Sequence, residues 1–205
     1  MAQDPGTPGT RGLSLRAQQK LFTRERLIAA ATELFDSRGY VDTTVDDIAQ
    51  RAGSSRATFY LHFSGKAEVV DELWATTRVG VVDLFKELGT EVELTREWLG
   101  EWLGRTFDFY TGNRAHLLAI HQAIAVEAAL ADRFNARIDE VETSLTQRIR
   151  AARQVDEDEA HLRASLLVMQ HERFCHFWLL REIPFDRELA TRVLRELWWS
   201  EVGDR

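Results

Sequence analysis

Apolar positions along this chain recur three and four residues apart, the spacing that gathers them on one helix face, and nowhere alternate as a strand would. From Thr23, the residues Leu27, Ile28, Ala31, Leu34 and Phe35 form a first stripe, closed by Gly39 just after Arg38 as helix ends prefer. Tyr40 and Val41 are expected to seal the base of that helix. A shorter pattern, Ile48, Ala49 and Ala52, starts after Thr44 and stops at Gly53. Thr44 with Asp47 three residues on predicts a reciprocal N-cap, in which each side chain satisfies an amide hydrogen that the helix start leaves without a partner. Ser55 predicts a second cap, opening a short helix from Arg56 to about His62 that Phe59 and Phe63 must pin inward. Ser64 is expected to cap the next helix, whose stripe runs through Val70, Leu73, Trp74, Thr77, Val81, Leu84, Phe85 and Leu88. At 1.5 Å per residue that helix is a rod of roughly 36 Å.

Beyond Gly89 the pattern thickens. Leu94 to Thr111 carries Trp98, Trp102 and Phe109 on one face and Leu99, Leu103 and Tyr110 on another, so this helix is buried or lines a cavity. Gly112 and Asn113 break it, and a helix from Ala115 to Ala131 follows with Leu117, Ile120, His121, Ile124 and Ala128. Phe134, Ile138, Val141, Leu145 and Ile149 make one clean stripe, leaving that helix a solvated side. Asp156 caps a helix to about Arg181 that is apolar on more than one face. Pro184 marks a turn, and Asp186 caps a last helix carrying Leu189, Val193, Leu194, Leu197 and Trp198. Two final helices this apolar need more cover than their own chain supplies, which predicts a homodimer through a four-helix interface.

The fold class is therefore all-α: an N-terminal three-helix head with a helix-turn-helix, and a larger C-terminal helical domain for ligand binding and dimerisation. The expected boundaries are a flexible arm over residues 1–20, the head over 21–66 and the helical domain over 67–205. The arm is read from Met1 to about Gly12, which holds all but one of the prolines.

Within the head, burying Phe59 and Phe63 leaves Arg56, Ala57, Thr58, Tyr60 and His62 toward solvent. A guanidinium, hydroxyls, an imidazole and one small residue on a single short helix make a face suited to something anionic. Lys66, in the first turn of the following helix, opposes the helix dipole unless a phosphate docks there.

The run Thr43-Thr44-x-x-x-Ile48-Ala49-x-x-Ala52-Gly53-x-Ser55, followed by Thr58-Phe59-Tyr60-x-His62-Phe63-x-x-Lys66, resembles the DNA-binding domain of the TetR family of bacterial transcriptional regulators. The resemblance is dense from about Arg24 to Val70; elsewhere it rests on length and helical pattern. It implies that Ser55, Arg56, Ala57 and Tyr60 lie at the major groove, while Thr44, Thr58, His62 and Lys66 hold the phosphate backbone. It also implies dimerisation by the last two helices. Ser54 departs from the family's usual valine, which predicts a slightly looser turn. Arg56 is the candidate base reader, since a guanidinium pairs with guanine O6 and N7, and Tyr60 and Lys66 are expected to hold phosphate. Arg11, Arg16 and Lys20 either reach the minor groove, as similar arms in the family do, or belong to a solvated tail.

Charge sharpens this picture. The net charge of −7 is unequally shared: residues 11–66 hold nine Lys/Arg against six Asp/Glu, and from Ala67 onward seventeen face twenty-six. The positive surplus sits with the motif, where it can supply the phosphate term of binding, and the acidic remainder keeps the body off a duplex. Apolar content of 44% supports a substantial core, and a lone Cys175 fits a reducing compartment. With no long apolar run, the expectation is a cytoplasmic protein with no membrane partner.

The body's aromatic and histidine content suggests an effector site for a largely apolar or aromatic small molecule of unknown identity. Candidate lining residues are Trp98, Trp102, Phe109, Tyr110, His116, His121, Met169, His171, Phe174 and Trp178, with His121, His171 or Arg173 for a polar end. Ordinary core and interface would use the same residue types. His171-Glu172-x-x-Cys175-His176 comes near a zincin motif without matching it. With no second ligand pair, no metal and no cofactor are expected. No P-loop, dinucleotide glycine motif or nucleophile elbow occurs, so the protein is not expected to be an enzyme. The leading expectation is a homodimeric, ligand-responsive repressor that binds a palindromic operator in double-stranded DNA. The alternative is a helical-bundle enzyme or small-molecule carrier whose N-terminal hairpin is structural.

Overall fold

A computed structural model describes residues 14–135 and 139–203, with the side chains of 135 and 139–141 left aside. Among them ten α-helices occur and no strand: α1 (Leu15–Arg38), α2 (Val45–Arg51), α3 (Arg56–Tyr60), α4 (Lys66–Thr90), α5 (Arg96–Gly112), α6 (Arg114–Ile124), α7 (Ala128–Asn135), α8 (Asp139–Arg153), α9 (Glu157–Cys175) and α10 (Arg187–Val202). A π-helical turn, His176–Leu180, continues α9. No helix among the described residues is long and apolar enough to cross a membrane.

The predicted caps at Thr44, Ser55, Asp156 and Asp186 form, each side chain accepting an amide hydrogen of the first turn. Several boundaries move. The first helix begins at Leu15, capped by Ser14, so Arg16 and Lys20 lie on α1 rather than on an arm. Arg11 falls outside the described residues. Ser64 does not cap α4: Gly65 takes that position without a side-chain bond, and Ser64 instead donates its amide and hydroxyl to Glu68 Oε2 at 2.6 and 2.9 Å. Gly89 lies inside α4, because a Cβ there would come within 2.6 Å of the Ser144 backbone and the absence of one lets α4 and α8 touch.

The segment expected to be one helix from Ala115 to Ala131 is two, with Ala125 to Glu127 as the joint. Phe134, assigned to the stripe of the following helix, belongs to α7 and packs on Trp74 with ring centroids 4.5 Å apart. Ile138 and the Val141 side chain lie outside the described residues, whereas Leu145 and Ile149 of the same stripe are fully buried on α8.

Two cores result. The head core gathers Leu27, Ala31, Phe35, Tyr40, Ile48, Phe59 and Phe63, and it also takes in Ala119, Ile120 and Ala123 of α6 and Leu130 of α7. The body core is built around Phe85, Trp102, Leu103, Phe107, Trp178 and Trp198. Helix α4 serves both, placing Val69, Val70, Leu73 and Trp74 in the first and Phe85 and Leu88 in the second. The rod is therefore a shared wall, and α6 reaches into the head as well.

Candidate nucleic-acid interface and effector cavity

The turn between α2 and α3 is set by backbone geometry. Gly53 adopts φ +60°, which glycine tolerates without strain. Gly53 N–H donates to Gln50 O at 3.0 Å and Ser54 N–H to Ala49 O at 2.9 Å, the paired closure of a Schellman motif. Ser54, half-buried, closes this turn with its backbone. Thr44 and Asp47 complete the reciprocal cap at 3.0 and 3.2 Å, and Arg38 lies 3.1 Å from the same carboxylate. These contacts, led by the Thr44 hydroxyl, hold the Asp47 carboxyl below its usual range.

On α3, Phe59 and Phe63 are buried with rings 5.6 Å apart, and Ser55, Arg56, Ala57 and Tyr60 are exposed. Thr44 is exposed too, while Thr58 and His62 are half-buried. The Arg56 guanidinium lies 5.6 Å over the Tyr60 ring and donates to Asp46 Oδ2 at 2.7 Å. Asp46 thus aligns Arg56 and competes for it. Burial lowers the His62 pKa, with Lys20 and Arg24 adding to the effect.

Lys66 requires a correction. Its ammonium donates to the carbonyls of Tyr40 at 2.7 Å, Thr43 at 2.9 Å and Val41 at 3.2 Å. An ammonium has three hydrogens, so this cation is spent on the loop between α1 and α2 and is not free to hold phosphate. The spacing to His62 and Phe63 was legible; the three carbonyls that converge on it come from a distant loop.

Between α4, α5, α6, α7 and α9 lies a cavity of about 210 Å³. Of the expected effector residues, Tyr110, His121 and Met169 line it, as does Arg173. Trp102, His171 and Trp178 are instead buried in the body core. Trp102 donates its indole hydrogen to Leu84 O at 2.8 Å and Trp178 to Phe185 O at 3.1 Å. His171 is fully enclosed, its ring stacked at 6.0 Å on Phe107, and burial pushes its pKa down to about 4. Trp98, Phe109 and Phe174 pack on the outside of that core, and His116 does not reach the cavity. A helix with two apolar faces offers both to a periodicity argument; which one meets the cavity depends on its neighbours.

Trp74, Phe85, Phe134, Val168 and Glu172 also line the cavity and were missed. The Trp74 indole nitrogen is buried with no hydrogen-bond partner, an unmet donor in the wall. Glu172 Oε1 lies 3.0 Å from His121 Nε2, and the His121 and His176 rings are 4.4 Å apart. Burial works against the Glu172 carboxylate, but His121, Arg173 and His176 outweigh it and hold its pKa low.

The helix behind the cavity also grips the head. Gln122 Oε1 of α6 accepts from Tyr40 N–H at 2.6 Å, and Glu127, just beyond α6, accepts from the Tyr40 hydroxyl at 2.9 Å. Arg114 reaches Asp36 at 3.1 Å, and Arg133 makes a two-pronged pair with Asp71 at 2.6 and 3.2 Å.

A small helix-turn-helix head on a helical body with a cavity defines a class of protein: a two-part, all-helical fold. Residues 27–73 match the sequence model of bacterial regulatory proteins of the tetR family. The HTH-type transcriptional regulator TtgW of Pseudomonas putida is 40% identical over 77 residues, 37% of this chain and 54% of its own length. The alignments to the first curated relatives span between a third and about half of those proteins' lengths. Among solved structures, Salmonella enterica GusR superposes with a TM-score of 0.70 at 19% identity, over 89% of this chain and 96% of that one. The SmeT–triclosan complex superposes with a TM-score of 0.66 at 18% identity, over 87% and 90%. Over residues 27–73, then, the chain is similar to the DNA-binding segment of tetR-family bacterial regulatory proteins, and beyond it the likeness is one of fold.

Proposed function

We propose that this protein is a cytoplasmic, homodimeric repressor that binds a palindromic operator and is released by a largely apolar or aromatic small molecule. Ser55, Arg56, Ala57 and Tyr60 would meet the major groove, with Thr44, Thr58 and His62 against phosphate. Arg56 would exchange Asp46 for a guanine edge. The observation that carries the reading is the double duty of α6: Ile120, His121 and Ile124 line the cavity, while Ala119 and Ala123 pack in the head core.

A ligand that displaces α6 would carry Tyr40 with it through Gln122 and Glu127, shifting the heads away from a spacing of roughly 34 Å between successive major-groove faces. The aromatic lining and the unmet Trp74 donor favour an aromatic ligand bearing one acceptor, and SmeT, of the same fold, binds triclosan. For the pairing of chains, α9 exposes Leu162, Leu166 and Met169, and α10 exposes Leu189, Val193 and Leu197, two rows at helical spacing that a second copy would cover.

Pull-down of genomic fragments on the purified protein would supply an operator, and calorimetry would then measure aromatic ligands on free and operator-bound protein. Linkage requires the ligand to bind the operator complex more weakly by the factor by which it weakens operator binding. Equal ligand affinity in both states, or a monomer at micromolar concentration, would overturn the reading.

A further inference from the structure

Helix α6 brings His121 beside a pair four residues apart on the next layer, Glu172 of α9 and His176 at the start of the π-helical turn. One ligand atom from each of the three lies within 4.8 Å of the others. All three residues are half-buried, and within the cluster Glu172 Oε1 stands 3.0 Å from His121 Nε2. The two imidazole rings meet edge to face at 4.4 Å. Nδ1 of His176 is buried with no hydrogen-bond partner.

We propose that His121, Glu172 and His176 form a binding site for a divalent first-row transition metal ion of the zinc class, one per chain. Two imidazoles and a carboxylate are a donor set that suits such ions and that calcium or magnesium does not favour. Zinc binds imidazole nitrogen at about 2.0–2.1 Å and carboxylate oxygen at about 2.0–2.2 Å, so tetrahedral ligands sit about 3.3 Å apart. Small rotations about the three side chains would bring the present spread to that value.

The helical spacing contributes as well. Residues i and i+4 share a face, so Glu172 and His176 point one way from α9 while His121 approaches from α6. The π turn that begins at His176 is a distortion of the kind that recurs at functional positions. Three protein ligands leave a fourth position open, and two of the three, His121 and Glu172, line the cavity. The ion would tie α6 to α9, the two helices on either side of that space. The metal site stands whether or not the cavity takes an organic effector.

The test uses full-length, tag-free protein stripped with a chelator and titrated with Co²⁺, then with Zn²⁺ in competition. One equivalent per chain is expected, with visible cobalt absorption bands that zinc abolishes. His121→Gln, Glu172→Gln and His176→Gln should each weaken binding by about tenfold or more, while His161→Gln, remote from the cluster, leaves it unchanged. X-ray absorption on the zinc-loaded wild type, which needs no variant, should report two imidazole nitrogens in the first shell. Absence of stoichiometric binding, affinity unmoved by all three substitutions, or a zinc shell without imidazole would each overturn the proposal.

Discussion

The hydroxyl of Tyr40, at the end of the head's first helix, donates to Glu127 Oε1 2.9 Å away in the body. Tyr40 is fully buried, and burial together with Glu127 drives the phenol's pKa above its usual range, so it remains a donor at every pH the protein meets. Removing the hydroxyl with Tyr40→Phe should cost about 1.5–3 kcal/mol, the worth of a hydrogen bond to a charged acceptor. Urea unfolding would read this as a lower midpoint at unchanged slope. If α6 couples cavity and head as proposed, the variant should also narrow the difference between operator affinity with and without ligand, and an unchanged difference would count against that route.

Arg56 is held by Asp46 at 2.7 Å with both side chains well exposed. Arg56→Ala should relax base preference at one position of each half-site, by about 1–3 kcal/mol of discrimination. Asp46→Asn should leave preference intact and strengthen binding to all sequences, because a competing carboxylate is gone. Binding curves on an operator and its point variants separate the two, and sequence-independent weakening by Arg56→Ala would assign that residue to phosphate instead.

Lys66 caps three carbonyls of the 40–43 loop. Lys66→Met should therefore lower stability by about 2 kcal/mol and leave the dependence of DNA affinity on salt nearly unchanged. A residue that neutralised a phosphate would instead reduce the log–log salt slope by about one. Measuring that slope for wild type and variant decides between a brace and a phosphate contact.

The head should loosen in acid. The Asp47 carboxyl is held low chiefly by Thr44, and the Glu68 carboxyl by Ser64. Each folded pKa lies below the unfolded one, so these carboxylates contribute stability above roughly pH 4 that is lost as pH falls through the depressed values. Thermal unfolding from pH 6 to pH 2.5 should show a steep decline that Asp47→Asn flattens while lowering stability at neutral pH. Parallel curves for wild type and variant would exclude the linkage.

Filling the cavity should abolish ligand response without unfolding the protein. Ile124→Phe adds volume at a half-buried position in the wall. The expected result is loss of aromatic-ligand binding by calorimetry with operator affinity retained. Undiminished ligand binding would move the effector site elsewhere.

The head was legible because its determinants are local. Thr44, Asp47, Gly53 and Ser55 act on backbone groups within five residues, so their order dictates two caps and a turn wherever the chain is placed. The lower body was less legible. Trp102 and Tyr110 sit on one helix, and only Tyr110 meets the cavity, since a periodicity counts apolar faces without naming their neighbours. Phe134 was read into the wrong helix because its spacing also continues through Ile138. The His121–Glu172–His176 cluster escaped for the same reason: two of its members stand at helical spacing, but the third comes from far upstream, on another helix.

By itself, the sequence determined the all-helical class, the helix-turn-helix head and its exposed Arg56 and Tyr60, since helix periodicity, capping and turn formation are short-range effects of neighbouring residues. Tertiary structure alone decided that α6 backs both the cavity and the head, that Lys66 serves carbonyls, and which aromatics enclose space and which fill it. Those outcomes depend on which helices come together, and packing brings into contact residues whose separation along the chain carries no periodic trace.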